Sequence, residues 1–322
     1  MNKVTKNISL FTICLFLAFN GGAQQPFDFA KAEMDLVKFF ETVTRGENHH
    51  IRYNANENFL ELLKKTLAEN GAFDYPFAHL NCAKLMPPDK KFRIFNWMVL
   101  KEDGMEYFAL MLVHNERKKT YEIIQLVDES DAILDLQNVI LDKDNWFCAY
   151  YYEVIQTETS GRKYYTFLGA NGNDKTVSRR VVEVLTFKPN GDLVFGANVF
   201  SWRIERGNRR VAEEKFNRKV FEFSRRGTMI LRYDYQAYTE PVGTPKPGEK
   251  QKEKIIRANM IVFDRLAPPN PELYGSSEAY IAAGGVYDAL VWLNGKWTLK
   301  LDVMARNPAP PKKKRWWLLW LF

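Results

Sequence analysis

The chain has 322 residues, with 46 Lys+Arg against 39 Asp+Glu, 46% hydrophobic and 26% charged residues. This composition excludes a disordered or collagen-like chain, and the length suits one large domain or two small ones. The net charge of +7 does not describe the body. Two basic residues precede Gln24 and five follow Ala305, with no acid in either segment, so residues 24–305 carry 39 of each sign. A nucleic-acid surface needs excess positive charge to release counterions, so no nucleic-acid partner is expected. The arginines between Lys175 and Arg232 read as a solvated sheet face.

Residues 1–23 have the layout of a secretory signal peptide: a short basic start, the uncharged run Ile8–Phe19, and small residues at Gly21-Gly22-Ala23. Twelve apolar residues are too few to cross a bilayer as a helix. Cleavage before Gln24 predicts an exported protein, periplasmic or associated with the outer envelope. Removing Cys14 leaves Cys82 and Cys148, which in an oxidising compartment form either a disulfide or two separate buried thiols.

The spacing of Phe29, Met34, Val37 and Phe40 predicts an amphipathic helix stopped at Gly46. A second helix is predicted over Asn56–Glu69, with Phe59, Leu60, Leu63 and Leu67 on one face and Asn70-Gly71 as its C-cap. These helices belong to a helical region, 24–81. From Lys84 the apolar period changes to 2, and strands are predicted at Phe92–Leu100, Glu106–Val113, Tyr121–Val127, Trp146–Ile155, Lys163–Leu168, Val177–Phe187, Leu193–Val199, Arg218–Phe223, Met229–Tyr233, Ile256–Val262 and Trp297–Asp302. Hairpin turns are expected at Asp103-Gly104, Ser160-Gly161, Asn190-Gly191, Arg226-Gly227 and Asn294-Gly295. Two stretches, Thr239–Glu253 and Leu266–Glu278, are too rich in Pro for strand interiors. The predicted fold is α+β: N-terminal amphipathic helices on a large antiparallel β meander over 82–305, with a degenerate β-propeller-like arrangement as the alternative because the turns follow no fixed repeat.

Four blocks carry a resemblance. They are the Ala-Gln-Gln that ends the signal, Pro88–Trp97, Phe167–Asn173, and Val262–Pro269 with Tyr287–Leu290. On these the chain resembles a group of uncharacterised exported proteins from Bacteroidota. The resemblance implies export and a β-rich fold and brings no activity with it.

The chain has no H-E-x-x-H, G-x-S-x-G, phosphate-binding G-x-x-x-x-G-K-[ST] or G-x-G-x-x-G motif, and no cofactor or metal is expected. Ser160-Gly161-Arg162-Lys163 formally matches S-x-x-K but reads as a turn. His49, His50, His79 and His114 lack the i, i+4 spacing of a helical metal pair. Gly169–Lys175 and Asp142–Asn145 resemble calcium-loop fragments without the full spacing and read as turns. The aromatics Trp146, Phe147, Tyr150, Tyr151, Tyr152, Tyr164 and Tyr165 could stack sugars, but read better as the core of a sheet covered on both faces.

The tail, 306–322, is unlike the rest. After Asn307-Pro308-Ala309-Pro310-Pro311 come Lys312, Lys313, Lys314 and Arg315, then Trp316, Trp317, Leu318, Leu319, Trp320, Leu321 and Phe322. Cations beside Trp and Leu, behind a Pro spacer, predict contact with a membrane surface at Lys312, Lys313, Lys314, Arg315, Trp316, Trp317, Trp320 and Phe322; docking of Trp316–Phe322 on the body is the competing reading. The expected function is an exported, envelope-associated binding or scaffold protein. The alternative is a hydrolase acting on envelope polymers through loop carboxylates.

Overall fold

The computed structural model describes residues 26–116, 118–172, 175–203, 205–206, 209–210 and 213–305. The expected signal peptide, 1–23, and the tail, 306–322, lie outside the described residues.

Helix α1, Phe29–Arg45, begins where the Asp28 carboxylate accepts the Lys31 N–H at 3.0 Å. It ends at Gly46, where a Cβ would stand 2.8 Å from the Thr42 carbonyl oxygen. Helix α2, His49–Leu67, starts seven residues earlier than its apolar spacing predicts. Asn48 caps it by accepting the Ile51 N–H at 3.0 Å, and the added turns bury little apolar surface. It also stops at Leu67; Gly71, at φ +94°, turns the chain afterwards.

Sixteen strands follow among the described residues. The first sheet has the order β1-β2-β3-β4, from Ala83–Leu85, Phe92–Leu100, Met105–Asn115 and Thr120–Leu126. The second has the order β12-β7-β6-β5, from Lys219–Ser224, Val177–Phe187, Arg162–Asn171 and Tyr150–Thr159, with β8 (Leu193–Phe195) also on β7. The third has the order β13-β14-β15-β16-β9, from Leu231–Val242, Lys252–Ala267, Ile281–Leu293, Lys296–Lys300 and Phe200–Ser201. A small hairpin joins β10 (Glu205–Arg206) to β11 (Arg209–Arg210). All pairs within these sheets are antiparallel except β16 with β9, which is parallel.

The layers follow from strand alternation, since successive side chains face opposite ways. Phe95, Trp97, Val99, Leu110 and Leu112 meet Leu36 of α1, Phe59 and Leu63 of α2, and Phe77 of the loop that follows α2. The opposite parity of the first sheet, Phe92, Ile94, Ala109 and Met111, meets Tyr151, Tyr165, Phe167 and Val181 of the second. The other face of the second sheet, Leu168, Val182, Val184 and Phe223, meets Ile261, Phe263, Leu290 and Trp297 of the third. The fold is therefore a helix layer on three stacked sheets, the α+β arrangement expected. No apolar cluster among the described residues joins the first sheet to the third, so the sheets form a stack and not the ring of a propeller.

Local turn chemistry holds where it predicts two-residue hairpins. Ser160-Gly161 (φ 50° and 75°) and Asn294-Gly295 (φ 50° and 78°) are both left-handed, with Thr159↔Arg162 and Leu293↔Lys296 paired across them. Arg226-Gly227 is not a hairpin: it carries the chain from β12 in the second sheet to β13 in the third. Of the stretch 239–253, residues 243–251 form the expected loop, and only the ends, 239–242 and 252–253, are paired, with Pro241 opposite Glu253. Proline is tolerated there because β13 is an edge strand. Residues 146–149 are not strand; they run buried between sheets and reach β5 only at Tyr150.

Candidate functional site

A cleft of about 760 Å³ opens at one end of the first two sheets. Its walls are the β3–β4 hairpin, the β7–β8 turn and the turn at Asp142–Asn145. Each wall is placed by backbone chemistry. Asn190 Oδ1 accepts the Asp192 N–H at 3.1 Å, and Gly191 takes φ +98° between the two strands. Asp142 accepts the N–H groups of Asp144 (2.9 Å) and Asn145 (3.1 Å), a side-chain-closed turn with its carboxylate already engaged.

The lining mixes four lysines (Lys91, Lys118, Lys143, Lys188) with five carboxylates (Glu116, Glu122, Asp142, Asp144, Asp192) around an apolar patch of Val113, Ile124, Phe187 and Leu193. Lys91 organises one side: Nζ donates to His114 O and to Glu116 Oε1, each at 3.1 Å, and lies 5.6 Å from the Phe187 ring centre. That lysine holds the Glu116 carboxyl below the usual glutamate range. Burial alone would push Asp142 up, but hydrogen bonds from the Asn145 side chain and from the Asp144 and Asn145 N–H groups outweigh it. Lys143 binds both oxygens of Asp144 at 2.7 Å, and Lys188 stands 4.0 Å from Asp192. The cleft thus presents lysines interspersed with carboxylates to a polar ligand.

Beside the cleft, Asp89 accepts from Lys163 Nζ and Tyr165 Oη, both at 2.9 Å, tying the loop before β2 to β6. A deeper polar centre lies between the first two sheets. Glu183 and Arg218 form an ion pair with both side chains at 0% exposure. Arg218 also donates to the carbonyl of Leu136 at 2.6 Å, and Asn217 and Arg218 both give their N–H groups to Gln137 O. The pair thus anchors the long connection between β4 and β5. Sequence reading missed both the cleft and this pair, since their members are separated by dozens of residues and share no spacing.

Cys82 and Cys148 are free buried thiols in different apolar clusters, so the separate-thiol alternative describes this structure and not the disulfide. Cys148 Sγ lies 3.2 Å from Ser130 Oγ, which donates to Asp128 at 2.7 Å. Burial, and then the Asp128 charge, raise the Cys148 thiol well above its ordinary value. Trp146, Phe147, Tyr151, Tyr164 and Tyr165 are core residues; Tyr152, 36% exposed, spends its hydroxyl on Leu231 O at 2.8 Å. His50 pairs with Asn54, and His114 packs on Tyr121. Among the described residues no group of three His, Cys, Asp or Glu side chains could hold a metal ion. The membrane-contact residues Lys312–Phe322 lie outside the described residues. Comparison with protein-family models, curated proteins and solved structures finds no match.

Proposed function

We propose that this is an exported, envelope-associated binding or scaffold protein whose tail, Lys312–Phe322, contacts a membrane interface. The observation that carries the binding role is the lining of the cleft: four lysines and five carboxylates around an apolar patch, with Glu116 engaged by Lys91 and Asp142 by the Asp144 and Asn145 N–H groups. A glycoside hydrolase needs one carboxyl raised to act as acid and a second facing it across the bond. Among the described residues the carboxyls that burial raises are Glu106, Glu153 and Glu183, on three different strands, and Glu183 is bound to Arg218. A ligand with alternating amino and carboxyl groups suits the cleft better than a reaction does.

The test is incubation of the chain from Gln24 to Phe322 with soluble fragments of envelope polymer. Retention of intact fragments, weakened by Lys91→Met, is the expected result. Turnover abolished by Glu116→Gln with Glu122→Gln would establish the hydrolase instead. For location, the first residue of protein purified from the producing cell should be Gln24, and a product beginning at Met1 would overturn export. For the tail, deletion of 307–322 should release the protein from vesicles while leaving its Tm nearly unchanged. A large fall in Tm, with no vesicle binding by the intact chain, would show that the tail belongs to the core.

A further inference from the structure

The third sheet extends past the stack as a two-stranded arm. Residues 241–255, the end of β13, the loop and the start of β14, are all exposed. Pairing runs out to Val242↔Lys252, and the loop 243–251, which carries Lys246 and Lys250, caps the ladder. It carries Lys246, Lys250, Lys252 and Lys254 against Glu249 and Glu253. Its only other acid, Glu240 at the base, is committed: it accepts from Lys300 Nζ at 2.7 Å and faces Lys254 at 3.7 Å. Two apolar side chains sit among these lysines without cover, Val242 at 47% and Ile255 at 63% exposure. Cations interleaved with exposed aliphatic groups are the composition used at an anionic lipid surface.

The position of the chain's exit makes this more than a charged loop. After β16 the backbone returns to the base of the arm, where Val303 N–H bonds Tyr287 O and Met304 N–H bonds Ala237 O, both at 2.9 Å. Ala237 lies on β13, five residues before Val242. At about 3.3 Å per residue the arm's last ladder pair is roughly 17 Å from that exit. Lys312 is seven residues beyond Ala305, a reach of at most about 25 Å when extended. The reach to Lys312 therefore exceeds the distance to the arm's last ladder pair, Val242↔Lys252.

We propose that the β13–β14 arm is a second contact surface for an anionic membrane, touching the same bilayer as the tail. The inference rests on the reading of the tail as an interfacial segment. Two tethered contacts on one surface raise the local concentration of each other, so the arm sets the preference for anionic lipid while the tryptophans of the tail supply affinity that salt does not screen.

The experiment is co-sedimentation of the 24–322 chain with vesicles of phosphatidylcholine alone or mixed with phosphatidylglycerol. Four proteins are compared: wild type, the arm triple variant Lys246→Ser/Lys250→Ser/Lys252→Ser, the 307–322 deletion, and both changes combined. The three lysines are exposed and remote from the core, so Tm should not change. The triple variant should lose about tenfold or more in binding to the anionic vesicles at low salt, bind neutral vesicles like wild type, and lose still more when combined with the deletion. Wild-type binding by the triple variant overturns the arm and leaves the tail reading intact. Binding that survives the deletion but not the triple variant overturns the tail reading and keeps the arm. Failure of the intact chain to bind any vesicle overturns both, and retention of the wild type but not the triple variant on a soluble polyanion column would then assign the arm to an acidic polymer.

Discussion

Asn96 of β2 accepts the backbone N–H of Tyr151 at 2.6 Å while donating from Nδ2 to Phe108 O at 2.9 Å. The side chain is at 0% exposure and crosses from the first sheet to the second. It reaches the point where the β5–β6 register shifts, between Tyr151 and Glu153, and bulges of this kind leave backbone groups without ladder partners. Asn96→Ala strands a buried N–H, which costs about 1–3 kcal/mol. Urea unfolding should show that loss in midpoint, and Asn96→Asp, which keeps the acceptor, should not behave like Ala at low pH.

Glu183 and Arg218 form a pair for which single and double replacements separate. Removing one member of a buried ion pair leaves an unpaired charge and costs roughly 3–5 kcal/mol. Arg218→Met is expected to be that severe because it also releases the Leu136 carbonyl. Glu183→Leu combined with Arg218→Met should recover part of the loss. A double variant less stable than either single one, by chemical denaturation, would contradict the pairing.

Gly169 on β6 has no room for a side chain. A Cβ there would stand 2.8 Å from the Tyr151 ring, 3.0 Å from Val181 and 3.1 Å from Ala149, all buried. Overpacking of this kind costs about 1–3 kcal/mol, and Gly169→Ala should lower Tm correspondingly. Gly161→Ala meets no atom within 4 Å, so any effect there comes from its φ of +75° alone.

Asp89 gives a pH signature. Burial would raise its carboxyl, but hydrogen bonds from Lys163, Tyr165 and the Lys91 N–H outweigh this and hold it below the usual aspartate range. A carboxyl whose folded value is depressed stabilises the fold above its unfolded value near pH 4, and that contribution disappears as pH falls through the folded value. The stability gap between wild type and Asp89→Asn should therefore be constant near neutral pH and close below about pH 4.

The thiols give a chemical count. Burial pushes Cys82 up to about 12, and Cys148 is raised as well. The native 24–322 chain should resist a thiol-specific reagent at mildly alkaline pH, and the unreduced, denatured chain should release two equivalents. No release would mean the two are bridged.

Alternation along Phe92–Leu100 and Val177–Phe187 and the left-handed pairs Ser160-Gly161 and Asn294-Gly295 are local matters of sterics and hydrogen bonding, so most strands, those two turns and the α+β class could be read from the sequence, whereas Ile281–Leu293 in the middle of the third sheet and the start of α2 at the Asn48 cap were not. Aromatic residues on both parities of Tyr150–Thr159 likewise announced a sheet covered on both faces. What only the tertiary structure decided is which elements meet. Arg226-Gly227 has the composition of a hairpin yet links two sheets, and Phe200–Ser201 leaves the second sheet to lie parallel to β16 before the chain returns in β12. Lys91 and Asp142 come to one cleft, and Glu183 finds Arg218, through contacts dozens of residues apart. Such partners are selected by the burial of two-sided apolar strands against one another, a condition that no window of sequence contains.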